Sequence, residues 1–104
     1  MAKMSLIKDS YGDILYVNMG EDVSTNTSLN MVIQPQFGGK LERTPTVGSS
    51  TITVNDEVYT ANEYLQYTTV EGDISKKGKY RLQGIVQISA TSKALSNYKT
   101  IEVK

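Results

Sequence analysis

The chain has 104 residues, contains neither cysteine nor histidine, and carries eleven acidic and eleven basic side chains, so its formal charge is zero. This length suits one domain with its own core, and the missing residue types exclude disulfides, thiolate metal sites and histidine-dependent hydrolases. The charge is uneven, because residues 1–63 carry eight acidic and four basic side chains and residues 64–104 carry three acidic and seven basic. This division leaves open a head-to-tail contact between the acidic and basic surfaces of two copies.

The first sixty residues predict short strands separated by turns rich in glycine, asparagine and hydroxyl side chains. Residues 1–12 show no regular apolar period, so we expect an N-terminal arm that is partly paired as a strand at Ser5–Lys8. Pro35 should end the second strand of the domain, because proline cannot donate to a central ladder. The predicted strands are Asp13–Met19, Ser28–Gln34, a polar edge strand Lys40–Thr44, and the hairpin Thr51–Val54 and Glu57–Thr60 around Asn55-Asp56.

A long strand, Lys79–Ser89, dominates the second half of the chain. Its alternation places one set of side chains on a single face: Tyr80, Leu82, Gly84, Val86 and Ile88. Tyr64–Thr69 predicts a strand before it, Asn97–Val103 predicts a strand after it, and Thr91–Ser96 predicts a hairpin loop. No window shows a helical repeat. Seven or eight short strands predict an all-β fold, an antiparallel β-sandwich that we place at residues 13–104.

The start of the long strand carries a recognisable pattern. Asp73, followed by Gly78, Tyr80 and Leu82, resembles the Asp…Gly-x-Tyr-x-Cys pattern of immunoglobulin-like domains, with leucine in place of the cysteine. The resemblance implies an Ig-like sandwich in which the Tyr80 hydroxyl bonds to the backbone of the preceding turn, forming a tyrosine corner. Met31 or Leu29 would stand where such domains have their other cysteine, and their central tryptophan has no counterpart here.

A second resemblance covers residues 13–103. The layout of strands and turns, together with the segment Gly78–Gly84 (GKYRLQG), is similar to the small Ig-like modules of tailed-phage virion proteins. Those modules occur as capsid auxiliary or decoration proteins, at head-fibre bases and in baseplate proteins. The resemblance implies a structural protein of the virion, assembled in the host cytoplasm, whose partners are capsid or tail proteins. The polar segment Met1–Lys8 and the absence of an apolar run of about 20 residues fit this expectation, so we expect no membrane partner.

Four side chains form a candidate docking surface. Val32 and Ile85 are apolar on strand faces that are otherwise polar, and Tyr64 and Tyr98 could extend this area. The alternative is that these are scattered surface apolar residues, which need no partner. The arm offers a further contact, because it could pair with a sheet edge of another copy.

The remaining polar clusters predict no catalytic, metal or cofactor site. Carboxylates flank turns at Glu21-Asp22, Asp56-Glu57 and Glu71–Asp73, but their spacing does not supply the six to eight oxygens of a calcium site. The basic segment 76–81 could touch nucleic acid or an acidic protein surface, yet it is better interpreted as a solvated loop, which makes nucleic acid an improbable partner. We therefore expect a protein that is not an enzyme. A capsid auxiliary role comes first, and a tail, connector or baseplate component or a carbohydrate- or cell-surface-binding module are the alternatives.

Overall fold

The computed structural model describes residues 5–104, and over these residues the backbone forms eleven strands and no helix. Accordingly, no helix within this range could cross a membrane. The all-β class is confirmed, although the strands are more numerous than the seven or eight predicted. They are β1 Ser5–Leu6, β2 Ile14–Asn18, β3 Ser28–Pro35, β4 Leu41–Arg43, β5 Thr46–Val47, β6 Ile52–Val54, β7 Glu57–Tyr59, β8 Tyr64–Thr68, β9 Gly78–Ser89, β10 Ser92–Leu95 and β11 Lys99–Val103.

The main sheet is built around β9. Its strand order is β1-β11-β9-β3-β4, and β10 pairs with β9 beyond the end of β11. One edge of β9 pairs antiparallel with β3, from Pro35 opposite Tyr80 to Ser28 opposite Gln87. The other edge is shared by β11 and β10, with Ser96 bridging the gap between them through its hydroxyl, which accepts the Gly84 N–H at 2.8 Å. The predicted alternation along β9 is confirmed, since its alternate side chains are buried.

A second sheet, ordered β2-β8-β5, closes over the main sheet, and the two sheets enclose the core. Gly84 lies at the centre of this closure. A Cβ there would stand 2.7 Å from the Met19 sulfur and 2.8 Å from Leu65 Cδ1, so glycine lets the second sheet approach β9 closely. The β-sandwich predicted from the strand pattern is therefore the observed architecture.

The β6–β7 hairpin confirms the predicted turn chemistry. Asn55 and Asp56 have φ angles of 51° and 67°, the left-handed values that a two-residue hairpin turn requires. The hairpin loop expected at 91–96 was wrong, because that segment contains β10. Residues 45–50, which no predicted strand covers, contain β5. Both segments take their pairing from a neighbouring strand and have no periodicity of their own.

The N-terminal segment is integrated into the main sheet. β1 pairs in parallel with β11 of the same chain, and Lys8 N–H donates to the Lys104 carbonyl at 2.8 Å. Leu6 is buried in the core. In its described part, residues 5–12, the predicted arm therefore packs on its own domain, whereas residues 1–4 of that prediction lie outside the described residues.

Candidate functional site

The outer face of the main sheet points away from the core and carries a row of apolar side chains. Ile85 faces outward because its neighbours on β9, Gly84 and Val86, are buried. Leu95 of β10 lies directly opposite Ile85, and Val32 of β3 lies diagonally across from it. Leu95 is 57% exposed, and Val32 and Ile85 are half-buried.

Tyr98 extends this row toward β11. Its ring is exposed and lies beneath the Arg81 guanidinium, whose central carbon is 4.9 Å from the ring centroid. Such a cation–π contact holds both side chains in place on the sheet surface. We call Val32, Ile85, Leu95 and Tyr98 the outer patch.

Leu95 was missed by sequence reasoning because its segment was predicted to be a loop. A signal was present, since a turn at Ala90-Thr91 would have folded β10 back on β9 and placed Leu95 beside Ile85.

Tyr64 does not belong to the outer patch, so its assignment to a docking surface was wrong. It lies on β8 of the second sheet, is 2% exposed, and its hydroxyl donates to the Ser50 carbonyl at 2.7 Å. Its ring packs against Tyr16 and Tyr59, with centroids 6.1 and 5.5 Å away. The physical reason is the β6–β7 hairpin, which folds over the second sheet through Tyr59 and buries a face that the sequence pattern suggested was open.

Tyr80 makes the hydrogen bonds that the Ig-like resemblance implies. Its hydroxyl accepts the Lys76 N–H and donates to the Lys76 carbonyl, both at 3.0 Å. Gly78 starts β9 with a φ of 116°, and Leu82 is buried in the core. These contacts fix the turn that leads into β9.

Asp73 does not bond to Tyr80, and its contacts connect the two sheets. Its buried carboxylate accepts hydrogen bonds from Arg43 Nε at 3.0 Å, the Tyr67 hydroxyl at 2.7 Å and the Val70 N–H at 3.0 Å. Burial acts to raise the pKa of Asp73, but these hydrogen bonds together hold that pKa below its usual value. The hydrogen bond to Asp73 also raises the pKa of Arg43. The carboxylate thus joins β4 of the main sheet to β8 of the second sheet.

Lys99 forms another link between layers. Its ammonium donates to the Tyr16 carbonyl at 3.1 Å and to the Tyr59 hydroxyl, and Glu57 lies 3.9 Å away. Burial lowers the pKa of Lys99 and is the main cause that raises the pKa of Tyr59. Because this amine is committed to bonds between β11, β2 and the hairpin, its role is structural.

A groove of about 380 Å³ opens at the end of the outer face where β9 begins. Two of its lining side chains are cationic, Lys79 and Arg81, and the others are neutral: Gln34, Pro35, Gln36 and Thr100. The groove is therefore suited to an anionic group.

Within residues 5–104, no group of three or more acidic, histidine or cysteine side chains is placed to hold a metal ion. The arrangement that remains is a rigid sheet with an apolar patch and a basic groove. No protein-family model matches the chain, and comparison with curated proteins and with solved structures finds no similar protein.

Proposed function

We propose that this chain is a non-enzymatic structural protein of a tailed-phage virion, and specifically a capsid auxiliary or decoration protein that binds the assembled shell. Its resemblance to the Ig-like modules of virion proteins, through the segment Gly78–Gly84 and the layout of its strands, supports this role. The observation that carries the proposal is the outer patch, because it offers solvent an apolar surface on a rigid sheet.

The outer patch has the composition of a protein-binding surface. Leu95 and Tyr98 supply exposed apolar and aromatic area, and Arg81 is held against the Tyr98 ring. Tyrosine and arginine are enriched among the residues that dominate binding energy at interfaces. Polar side chains lie among the apolar ones, since Gln83 is opposite Val32 and Asn30 is opposite Ile85, so hydrogen-bonding groups accompany the apolar area as they do at protein interfaces.

The sheet also lowers the cost of docking. The backbone ladders of β3, β9 and β10 fix the main chain beneath the patch, so binding orders little additional backbone. A shell repeats the same site many times, and contacts between adjacent copies would raise the effective concentration of each one. Weak individual contacts are then sufficient for stable coverage.

Co-sedimentation tests this proposal. The purified chain is mixed with purified capsids, and separately with purified tails, of the phage that encodes it. We expect saturable binding to capsids, weakened at least about tenfold by Leu95→Asp, because a charge would be buried at the centre of the contact. Val58→Asp is the matched control, since Val58 is 55% exposed on β7, in the hairpin that covers the second sheet. Failure to bind either particle, or equal loss in both variants, would contradict the proposal, and binding to tails alone would favour a tail or connector component.

The exposed Tyr98 ring favours a second candidate, a carbohydrate- or cell-surface-binding module. An aromatic face held in place by Arg81 can stack on a sugar ring. A glycan array probed with the wild-type protein and with Tyr98→Ala tests this function. The wild-type protein should be retained on the array, and Tyr98→Ala should not.

A further inference from the structure

Cationic side chains gather at one end of the sandwich, which we call the basic end. It consists of segments 34–40 and 75–81, which contain five cationic and no acidic residues: Lys40, Lys76, Lys77, Lys79 and Arg81. Two acidic side chains border this end, and each is paired with a lysine: Glu102, opposite Lys79, lies 3.9 Å from the Lys104 ammonium, and Asp9, beside Ile74, lies 3.3 Å from the Lys8 ammonium. The two segments lie together because Pro35 pairs with Tyr80 and the Lys79 N–H donates to the Gln36 side chain at 3.2 Å. The basic end includes the groove between Gln36 and Arg81.

Acidic side chains gather at the opposite end, which we call the acidic end. It consists of segments 19–27 and 60–63, which contain Glu21, Asp22 and Glu63 and no cationic residue. The Met19 N–H donates to the Glu63 carbonyl at 2.8 Å and joins the segments. Asp22 accepts hydrogen bonds from the side chain and backbone of Ser24, which lower its pKa and keep its carboxylate charged.

The two ends are too far apart to interact within one molecule. β9 connects them, with Lys79 at the basic end and Gln87, whose carbonyl accepts the Thr27 N–H at 2.7 Å, beside the acidic end. Eight residues of strand span roughly 26 Å at about 3.3 Å per residue. That distance exceeds the screening length of about 8 Å at physiological ionic strength, so neither end neutralises the other.

We propose that the basic end of one copy binds the acidic end of a second copy, head to tail. The groove places Lys79 and Arg81 where they can receive the Glu21 and Asp22 carboxylates. Phe37, 68% exposed at the tip of the basic end, provides apolar area that the contact removes from water. Because the two surfaces differ, each copy keeps one free surface, and the contact repeats into a row or closes into a ring. This inference is independent of shell binding, because it concerns the isolated protein.

Sedimentation velocity over a concentration series tests the contact in the purified chain. We expect species larger than a monomer at about 0.02 M salt, and their loss at about 0.5 M salt, where screening shortens the reach of the charges. A monomer throughout the series at low salt, or an association that salt leaves unchanged, would overturn the proposal.

Charge-reversal variants identify the surfaces. Lys79→Glu and Glu21→Lys should each abolish association at concentrations where the wild-type protein assembles, and an equimolar mixture of the two should associate again, as a heterodimer. Restoration follows because each variant keeps one native surface that complements the other. Glu42→Lys is the matched control, since it reverses an exposed glutamate on β4, outside both ends, and should leave association unchanged. Persistence of association in either single variant, or no recovery on mixing, would overturn the proposal.

Discussion

Tyrosine outnumbers phenylalanine seven to one in this chain because the hydroxyls of several packed rings make hydrogen bonds within the protein. The hydroxyls of Tyr64, Tyr67 and Tyr80 bond to the Ser50 carbonyl, the Asp73 carboxylate and the Lys76 backbone. A phenylalanine at these positions would leave the partner groups without their bonds. Tyrosine suits positions with one buried and one polar side, and in this chain most of the polar sides bond within the protein.

The Tyr80 hydroxyl provides a direct test of the turn before β9. Tyr80→Phe should lower the free energy of unfolding by roughly 1 kcal/mol, the typical net worth of a hydrogen bond. Chemical denaturation at neutral pH measures this loss. Tyr11→Phe, at an exposed tyrosine, should leave stability unchanged. Equal stability of Tyr80→Phe and the wild-type protein would mean that these bonds do not hold the turn.

Gly48 is required for a different reason, the close approach of a ring. A Cβ at this position would overlap the Tyr64 ring, which is buried and held by its bond to Ser50. Gly48→Ala should therefore destabilise the protein by roughly 1–3 kcal/mol, as overpacked cores do. Thermal unfolding measures the effect, and Gly39→Ala, where the added carbon meets open space, is the control. If both variants melt at the same temperature, Tyr64 can move aside.

At the scale of elements, the strands whose own residues alternate between apolar and polar were predictable. The strands that form only because a neighbouring strand pairs with them were not. β9 was predicted within one residue because buried and outward side chains alternate along it. The Asn55-Asp56 turn was also predictable, since both residues tolerate the left-handed conformation. β10 and β5 are short and only half apolar, and they are strands because β9 and β8 present unpaired edges to them.

The contribution of β1 to the core could not be predicted from the sequence. Leu6 is 6% exposed within the core, whereas its neighbour Ile7 is 63% exposed. Leu6→Ala should cost about 2–5 kcal/mol, the usual range for a buried leucine, and Ile7→Ala should change stability by less than about 0.5 kcal/mol. Urea denaturation of the two variants compares them directly. Equal losses would contradict the packing of β1 beside β11.

At the scale of the whole molecule, the outer patch was only partly predictable. Val32 and Ile85 could be found because each breaks a polar alternation, and Tyr98 because it lies on the opposite face of the predicted strand Asn97–Val103 from Ile101 and Val103. Tyr64 breaks no rule within its own strand, and only the layer added by the β6–β7 hairpin buries it. Which face of a sheet remains open depends on contacts distant in sequence, and a strand's own pattern does not contain that information.

The Asp73 carboxylate couples the closure of the two sheets to pH. Its folded pKa is lowered, so its stabilisation is fully present above the unfolded aspartate pKa of about 3.9 and is lost as the pH falls through the folded value. Tyr67→Phe removes one of the hydrogen bonds that lower this pKa, so the folded pKa moves toward the unfolded value and the variant should lose less stability to acid than the wild-type protein.

Guanidinium denaturation at a series of pH values down to about 3 measures this coupling. Near neutral pH the Tyr67→Phe variant should be less stable by roughly 1.5–3 kcal/mol, the worth of a hydrogen bond to a charged group. The difference should shrink as the pH falls and Asp73 is protonated in both proteins, because the bond then loses its charge assistance. Tyr98→Phe, on the outer patch and remote from Asp73, should follow the wild-type curve throughout. A stability difference for Tyr67→Phe that stays constant from neutral to acid pH would show that the Asp73 charge does not hold the sheets together.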